Sequence, residues 1–289
     1  MNMSVDLSKC DRVYHKTLSM KDYMEIEGLS SSELFEFSKS PKHYKAMKKQ
    51  DDEQSRSLLL GTALHCALED YEVFNNSYVA QPSDIDRRTK AGKEAYQLFV
   101  TENEGKTVLS SFDYHVVNKM YYSVINSDDT LVMELFNCQH DSEISILWTE
   151  HGILQKCRPD RLITLSDDAR SIIRDRFNIC LPEGATAVLD YKTTSKGASP
   201  RSFIGSCKTF GYFLKAAHYL EGTQSDIFFW LAIESEPPFC VELYAMNEDS
   251  GAKYFKLRRT LLGELKTCMR EDYWPSYRIN DSDRLLGSE

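Results

Sequence analysis

The segment 188–194, VLDYKTT, sets an aspartate and a lysine two residues apart in a run that otherwise reads as a buried strand. Side chains at i and i+2 of a strand lie on one face, so Asp190 and Lys192 share a face while Leu189 and Tyr191 take the other. A cross-strand ion pair would account for these two if no other charge gathered near them. Two further acids do: Arg158-Pro159-Asp160 interrupts the preceding strand pattern, and Glu143 opens the one before it. Carboxylates on neighbouring strands repel one another unless a cation sits among them. Hard divalent cations such as magnesium take oxygen ligands, commonly one or two carboxylates completed by water and substrate phosphate, and Asp160 and Asp190 can supply that pair. A metal so held binds a phosphate oxygen and lowers the pKa of bound water, and the Lys192 ammonium offsets charge building on phosphorus. The pattern therefore predicts phosphoryl chemistry on a sheet.

Around this segment the chain changes texture once. Up to about residue 140 the apolar spacing is helical: a serine-capped helix in GLSSSELFEF, helices over 93–100 and 113–125, and a buried helix over 55–71. In that buried helix Gly61, His65 and Glu69 recur every fourth position on one face. An interior glycine costs about 1 kcal/mol relative to alanine, so Gly61 predicts close approach of a backbone or a ligand. After residue 141 come a hairpin (EISILW, a turn at Glu150-His151-Gly152, then ILQKCRPDRLITL), the VLDYKTT strand, a helix over 210–221, strands over 227–234 and 239–246 around Glu236-Pro237-Pro238, and a helix over 249–270. The long stretch between Leu165 and Ala187 has no evident place in this order. The expected fold is α/β or α+β: a mixed central sheet flanked by helices, with a helical N-terminal part. Residues 1–20 read as a loose lead-in, 21–277 as one domain (21–140 mainly helical, 141–277 carrying the sheet), and 278–289 as a tail.

Composition excludes some classes of function. The longest strongly apolar run, 227–233, falls short of the roughly 20 residues a membrane helix needs, and the N-terminus carries no signal-peptide pattern, so a cytoplasmic protein with no membrane partner is expected. Eight scattered cysteines without C-x-x-C pairs predict reduced thiols rather than a zinc or iron–sulfur site. A net charge of −9 repels a phosphate backbone, so any nucleic-acid contact must be local. Basic patches at 42–49, 170–176 and 256–259 offer such contacts, though each taken alone reads as a solvated helix face.

Pro159-Asp160 followed by Asp190-Tyr191-Lys192 resembles the PD-(D/E)XK nuclease signature. The surrounding motifs narrow it: G-T-A-L-H at 61–65 with Glu69 beyond, K-C-R-P-D-R at 156–161, D-Y-K-T-T at 190–194 and G-Y-x-x-x-A-A-x-Y at 211–219 are similar to RecE-type exonucleases (exodeoxyribonuclease VIII), with the broader RecB-like nucleases behind them. The resemblance implies a magnesium-dependent enzyme, with manganese as a substitute, that degrades linear duplex DNA from the 5′ end and leaves a 3′ overhang for a RecT-like single-strand annealing protein. It also implies a ring-like homo-oligomer. Carried onto this sequence, it implies Asp160, Asp190, Lys192 and Glu143 as catalytic residues and His65, Asp160, Asp190 and Tyr191 around the metal. Arg158, Arg161, Thr193, Lys215 and Tyr219 fall to substrate binding. Lys215 stands where related sequences usually carry glutamine, replacing a donor and acceptor with a charged donor. Two other readings stay open: a RecB-like nuclease acting on single-stranded or flap DNA, and a non-catalytic DNA-binding module on a decayed nuclease scaffold.

Overall fold

A computed structural model describes residues 12–48 and 55–277. In chain order the N-terminal part comprises β1 (Arg12–His15), α1 (Met20–Glu25), α2 (Ser31–Lys39), α3 (Pro41–Met47), α4 (Arg56–Glu69), α5 (Tyr71–Ser77), β2 (Tyr78–Ala80), α6 (Lys90–Glu102), β3 (Thr107–Leu109), α7 (Ser111–Ile125) and α8 (Thr130–Asn137). The sheet-bearing part comprises β4 (His140–Ser142), β5 (Ser145–Glu150), β6 (Ile153–Cys157), β7 (Arg161–Thr164), α9 (Asp167–Phe177), β8 (Thr186–Thr194), α10 (Pro200–Phe210), α11 (Tyr212–Thr223), β9 (Ile227–Glu234), β10 (Val241–Ala245) and α12 (Glu248–Glu271).

A mixed five-stranded sheet in the order β10-β9-β8-β7-β4 forms the centre, with β8 and β9 parallel and the other neighbours antiparallel. This is the expected mixed sheet flanked by helices. β8 carries VLDYKTT, and the predicted alternation holds. Leu189 and Tyr191 enter the large core that includes Leu64, Val117 and Ile163, while Val188 enters a second core with Phe203, Ala216 and Trp230. Strands buried on both faces need near-continuous apolar sequence, which IFFWLAI in β9 provides.

Three departures from the sequence reading bear on how the site is placed. The run ILQKCRPDRLITL is not one strand: Pro159 cannot donate a ladder hydrogen bond, and the chain changes sheets there. β6 stays with β5 and β1 in a separate three-stranded sheet, while β7 joins β8. Secondly, the described end of the expected lead-in is structured, since β1 pairs along β5 from Arg12↔Trp148 to His15↔Ser145. Thirdly, the stretch 165–187 contains α9, capped by Ser166, with Asp167 and Asp168 in its first turn and Arg174 and Arg176 in its last. That charge order suits the helix dipole. Ala169 and Ile173 of α9 pack into the large core, so the stretch is part of the fold.

The two sheets are joined through α11. A Cβ at Gly222 would lie 2.6 Å from Cys157 Sγ and from the Trp148 ring, so only glycine lets this helix approach β5 and β6 so closely. One turn earlier, His218 is wholly buried against Trp148 and donates from Nε2 to the Lys156 carbonyl at 3.1 Å. Among the described residues no helix is long and apolar enough to cross a membrane. Cys66, Cys138, Cys157, Cys180, Cys207 and Cys240 form no disulfide; Cys10 and the tail 278–289 lie outside the described residues.

The basic patches are largely spent on structure. Arg176 makes a two-pronged contact with Asp129 at 2.7 and 2.8 Å, and Arg170 pairs with Asp167. Lys45 and Lys48 pair with Asp272 and Glu33, and Lys49 lies outside the described residues. Arg258 is wholly buried, donating to Glu150 at 2.5 and 3.2 Å and to Gln155 at 3.2 Å.

Candidate active site

The break between β6 and β7 brings Asp160 beside β8. Its Oδ2 accepts the Tyr191 N–H at 2.7 Å, and its carbonyl accepts the Glu143 N–H at 3.1 Å. On the face of β8 predicted from the alternation, the Lys192 ammonium pairs with Asp190 Oδ2 and donates to the Tyr191 carbonyl at 3.3 Å. His65 of α4 completes the group, with Nδ1 at 3.2 Å from Asp160 Oδ1. Asp160, Asp190, Lys192 and His65 are thus brought together by one helix, one strand and one interrupted turn.

The two aspartates are driven apart in their titration. Burial raises the Asp190 carboxyl, and the neighbouring Asp160 adds to this while Lys192 offsets it only in part. Burial would raise Asp160 as well, but His65, Lys192 and the Tyr191 N–H hold it below the usual carboxylate range. Burial disfavours charge on His65 and Lys192, yet both end above their usual values, His65 through Asp160 and Lys192 chiefly through Asp190. Two acids in one site with opposed shifts are a common mark of a reactive centre.

Sequence reading left Glu69 without a role beyond its motif, and here the structure adds most. One turn beyond His65, Glu69 Oε1 accepts Arg161 Nε at 2.7 Å and the Tyr191 hydroxyl at 2.8 Å, and Oε2 accepts the Ser142 hydroxyl. The carboxylate clasps β4, β7 and β8 to α4. Tyr191 lies edge-on to His65 at 5.2 Å and stacks with Phe136 at 6.0 Å. The four-residue spacing of His65 and Glu69 was the visible signal; their partner Tyr191, more than 120 positions away, was not.

The expected site residues differ in how they stand toward the open groove. Arg161, expected to bind substrate, turns inward: its side chain is 4% exposed and is held by Glu69 and the Leu68 carbonyl, so no phosphate reaches it. Tyr191 reaches the site through its main chain, because its phenol takes the opposite face toward Glu69. Arg158 braces a wall, donating to the Leu18 carbonyl at 2.9 Å, to Ser145 at 2.7 Å and to Glu143 at 3.1 Å. Glu143 holds a left-handed backbone (φ 48°) beside Asp160. Gly61 meets no close backbone: a Cβ there would find only Thr193 Oγ1, at 3.8 Å.

A groove of about 1040 Å³ opens onto His65, Lys192 and Thr193, lined also by Arg56, Glu143, Arg158 and Lys196. Lys215 and Tyr219 instead line a separate cavity of about 150 Å³ with Ser31, Ser32, Asp190 and Lys192. Lys192 therefore stands between the two openings, with Asp190 on the smaller and Thr193 on the larger.

The chain matches, over residues 30–281, the family described as "PDDEXK-like domain of unknown function (DUF3799)". It belongs to that PDDEXK-like family. Among solved structures it is similar to one described as a "Putative exonuclease" from Eubacterium rectale, at a TM-score of 0.56 and 13% identity, covering 94% of this chain and 96% of that one. Similarity to the solved structure of SSO0001 is weaker, with a TM-score of 0.26 and 14% identity over 71% of this chain and 86% of that one, and carries no argument. No curated protein matches the chain. At this identity the first likeness speaks to the fold, which is the PD-(D/E)XK core, and within it Pro159-Asp160 and Asp190-Tyr191-Lys192 are the residues that fit the family's letters.

The donor set of this PDDEXK-like site fits a hard divalent ion. Among the described residues no three His, Cys, Asp or Glu side chains form a complete cage for a metal. Magnesium does not require one, since it keeps several waters and takes one or two carboxylates. Asp190 Oδ2 is buried and faces Lys192 as an ion pair while accepting no hydrogen bond of good geometry, so it retains lone-pair capacity for a ligand.

Lys215 carries a cost that its cavity does not repay. Burial first, then the Lys192 charge, lowers its ammonium to about 8. Below pH 8 the lysine is charged whether folded or unfolded, and the fold bears the full penalty. Between about pH 8 and the ordinary lysine value, the unfolded chain keeps a proton the folded chain has shed, so stability rises with pH. Lys215→Met is expected to stabilise the protein at pH 7 by about 2–3 kcal/mol and to remove that rise, as measured by urea unfolding at pH 7 and pH 9.5.

Proposed function

We propose that the protein is a divalent-metal-dependent nuclease that hydrolyses DNA phosphodiester bonds, with magnesium as the working ion and manganese able to replace it. The observation that carries this reading is the meeting of Asp160, Asp190, Lys192 and His65 about the Tyr191 peptide, with His65 and Lys192 lining the large groove. Asp160 and Asp190 would hold the ion, which when bound polarises the phosphate and eases deprotonation of a water.

The chain's own residues do the rest. Asp160, kept ionised by His65 and the Tyr191 N–H, stays an oxygen donor across the neutral range. Lys192, held protonated by its acids, cannot take a proton from water; it acts as a cation beside the phosphorus centre as negative charge builds there. In the reaction a water oxygen bonds to phosphorus and gives up a proton to solvent, the bond to the departing sugar oxygen breaks, and that oxygen takes up a proton from solvent. Glu69 fixes the spacing of α4 and β8, on which the placement of His65 against Asp160 depends.

The finer reading is an exonuclease that enters linear duplex from the 5′ end and leaves a 3′ single strand for an annealing protein, working as a ring of identical subunits. It is supported by the motifs shared with RecE-type enzymes and by a fold similar to that of a protein described as a "Putative exonuclease". A time course on linear duplexes blocked at both 5′ ends or at both 3′ ends tests it. Blocking the 5′ ends should stop nucleotide release and blocking the 3′ ends should not; the reverse pattern overturns the polarity.

A further inference from the structure

The large groove is apolar as well as charged at its rim. Met20, Leu58, Val73 and Phe210 all line it, and each leaves 44–53% of its surface in water. Burying such side chains against a partner is worth about 1.5–3 kcal/mol each, so a groove that keeps them exposed is shaped for a ligand with apolar surface of its own.

The sharpest feature among them is the elbow between α10 and α11. Phe210 ends α10, Tyr212 opens α11, and Gly211 between them holds a left-handed backbone at φ +68°. A Cβ at Gly211 would lie 2.0 Å from the Phe35 ring, so the bend is fixed by a glycine that nothing else can replace. The bend stacks the Phe210 ring on the Tyr212 ring, centroids 5.7 Å apart at 27°, and leaves Phe210 as the outer, water-exposed member of the pair. The Lys192 ammonium lies 5.2 Å from the Tyr212 centroid, so this aromatic pair leads from the water-exposed rim to the catalytic lysine.

Along its length a DNA duplex presents phosphates and sugars to a groove wall, and only its last base pair exposes a face for such rings. An unpaired base offers a π-face, and stacking on an aromatic side chain is worth about 1–3 kcal/mol per base without regard to sequence. Lys196 in the same groove is placed for an accompanying phosphate, while Arg56 is already paired with Asp113 at 2.7 Å. Building on the nuclease reading, we propose that Phe210, backed by Tyr212, forms a stacking platform for an unpaired base beside the scissile phosphate. The groove then takes DNA as a single strand, and a duplex is used only after its end has opened.

Two measurements on the full chain separate this proposal from the nuclease reading. Fluorescence anisotropy with a labelled single-stranded oligonucleotide, in EDTA so that no cleavage occurs, reads the platform alone. The wild type should bind the single strand more tightly than a blunt duplex of equal length, and Phe210→Ala should weaken single-strand binding roughly 5- to 150-fold while Phe210→Trp retains it. Cleavage with magnesium should then be faster on a duplex with a short unpaired fork than on a blunt one, and Phe210→Ala should raise KM more than it lowers kcat. Phe210 is exposed, so its removal leaves the fold intact, which circular dichroism checks. Unchanged single-strand binding in Phe210→Ala, or a blunt duplex preferred over a forked one, overturns the platform. Phe210-dependent binding with no cleavage of any substrate by the wild type leaves the platform standing and overturns the nuclease reading.

Discussion

Asp190→Asn and Lys192→Met are each expected to lower nuclease activity by at least about 100- to 1000-fold, the loss typical when a preorganised charge facing a transition state is removed. The two fail for different reasons. On the proposed reading Asp190→Asn takes away one of the two carboxylates that would hold the ion, and it leaves the Lys192 ammonium buried without its nearest acid. Lys192→Met removes the cation proposed to serve the phosphate and leaves Asp190 beside Asp160 without its offsetting charge, so the Asp190 carboxyl rises further. An unpaired buried charge also destabilises a fold, by about 3–5 kcal/mol where burial is complete. The double variant Asp190→Asn/Lys192→Met is therefore expected to unfold at higher urea than either single variant while staying as inactive as both. Equal activity losses with this non-additive stability would mark the pair as one functional unit; full activity in Asp190→Asn would remove it from the site.

The second large effect concerns acid. His218 is wholly buried, its Nδ1 has no hydrogen-bond partner, and burial, then the Arg258 charge, pushes its pKa down to about 3. The folded chain keeps this imidazole neutral while the unfolded chain protonates it near pH 6.5, so stability is complete above that value and is lost as pH falls toward 3. The group alone is expected to cost about 2 kcal/mol between pH 7 and pH 5, and about 4–5 kcal/mol by pH 3. Urea titrations of the wild type and His218→Gln at pH 7 and pH 5 isolate it. The variant should lose about 2 kcal/mol less than the parent over that interval, since glutamine can still donate to the Lys156 carbonyl but does not titrate. Parallel losses in the two proteins would show that His218 is accessible to protons in the fold.

Local rules made much of the site legible. The period of a strand put Asp190 and Lys192 on one face, and the period of a helix put His65 and Glu69 on another, because both are fixed by backbone geometry whatever the tertiary context. Pro159 was visible as an interruption, yet its consequence was not: the transfer of chain from the β1-β5-β6 sheet to the central sheet depends on which strands lie nearby. The same holds for β1, whose pairing with β5 spans 130 positions and leaves no local trace. Arg161 shows how charge misleads in sequence. An arginine beside a catalytic acid reads as a phosphate ligand, and only the position of Glu69 reveals that its guanidinium is spent inside. Lys215 and Tyr219 lie on the expected helix but face a second cavity, a distinction made by the rotation of α11 about its axis.

The most direct test is release of acid-soluble nucleotide from uniformly labelled linear DNA by the purified protein, with magnesium, with EDTA, and with Asp190→Asn in place of the parent. Release by the parent in magnesium, abolished by EDTA and by the substitution, is the predicted result. Release that persists in EDTA, or that Asp190→Asn carries out at the parental rate, would contradict a hydrolytic centre built on Asp160, Asp190 and Lys192.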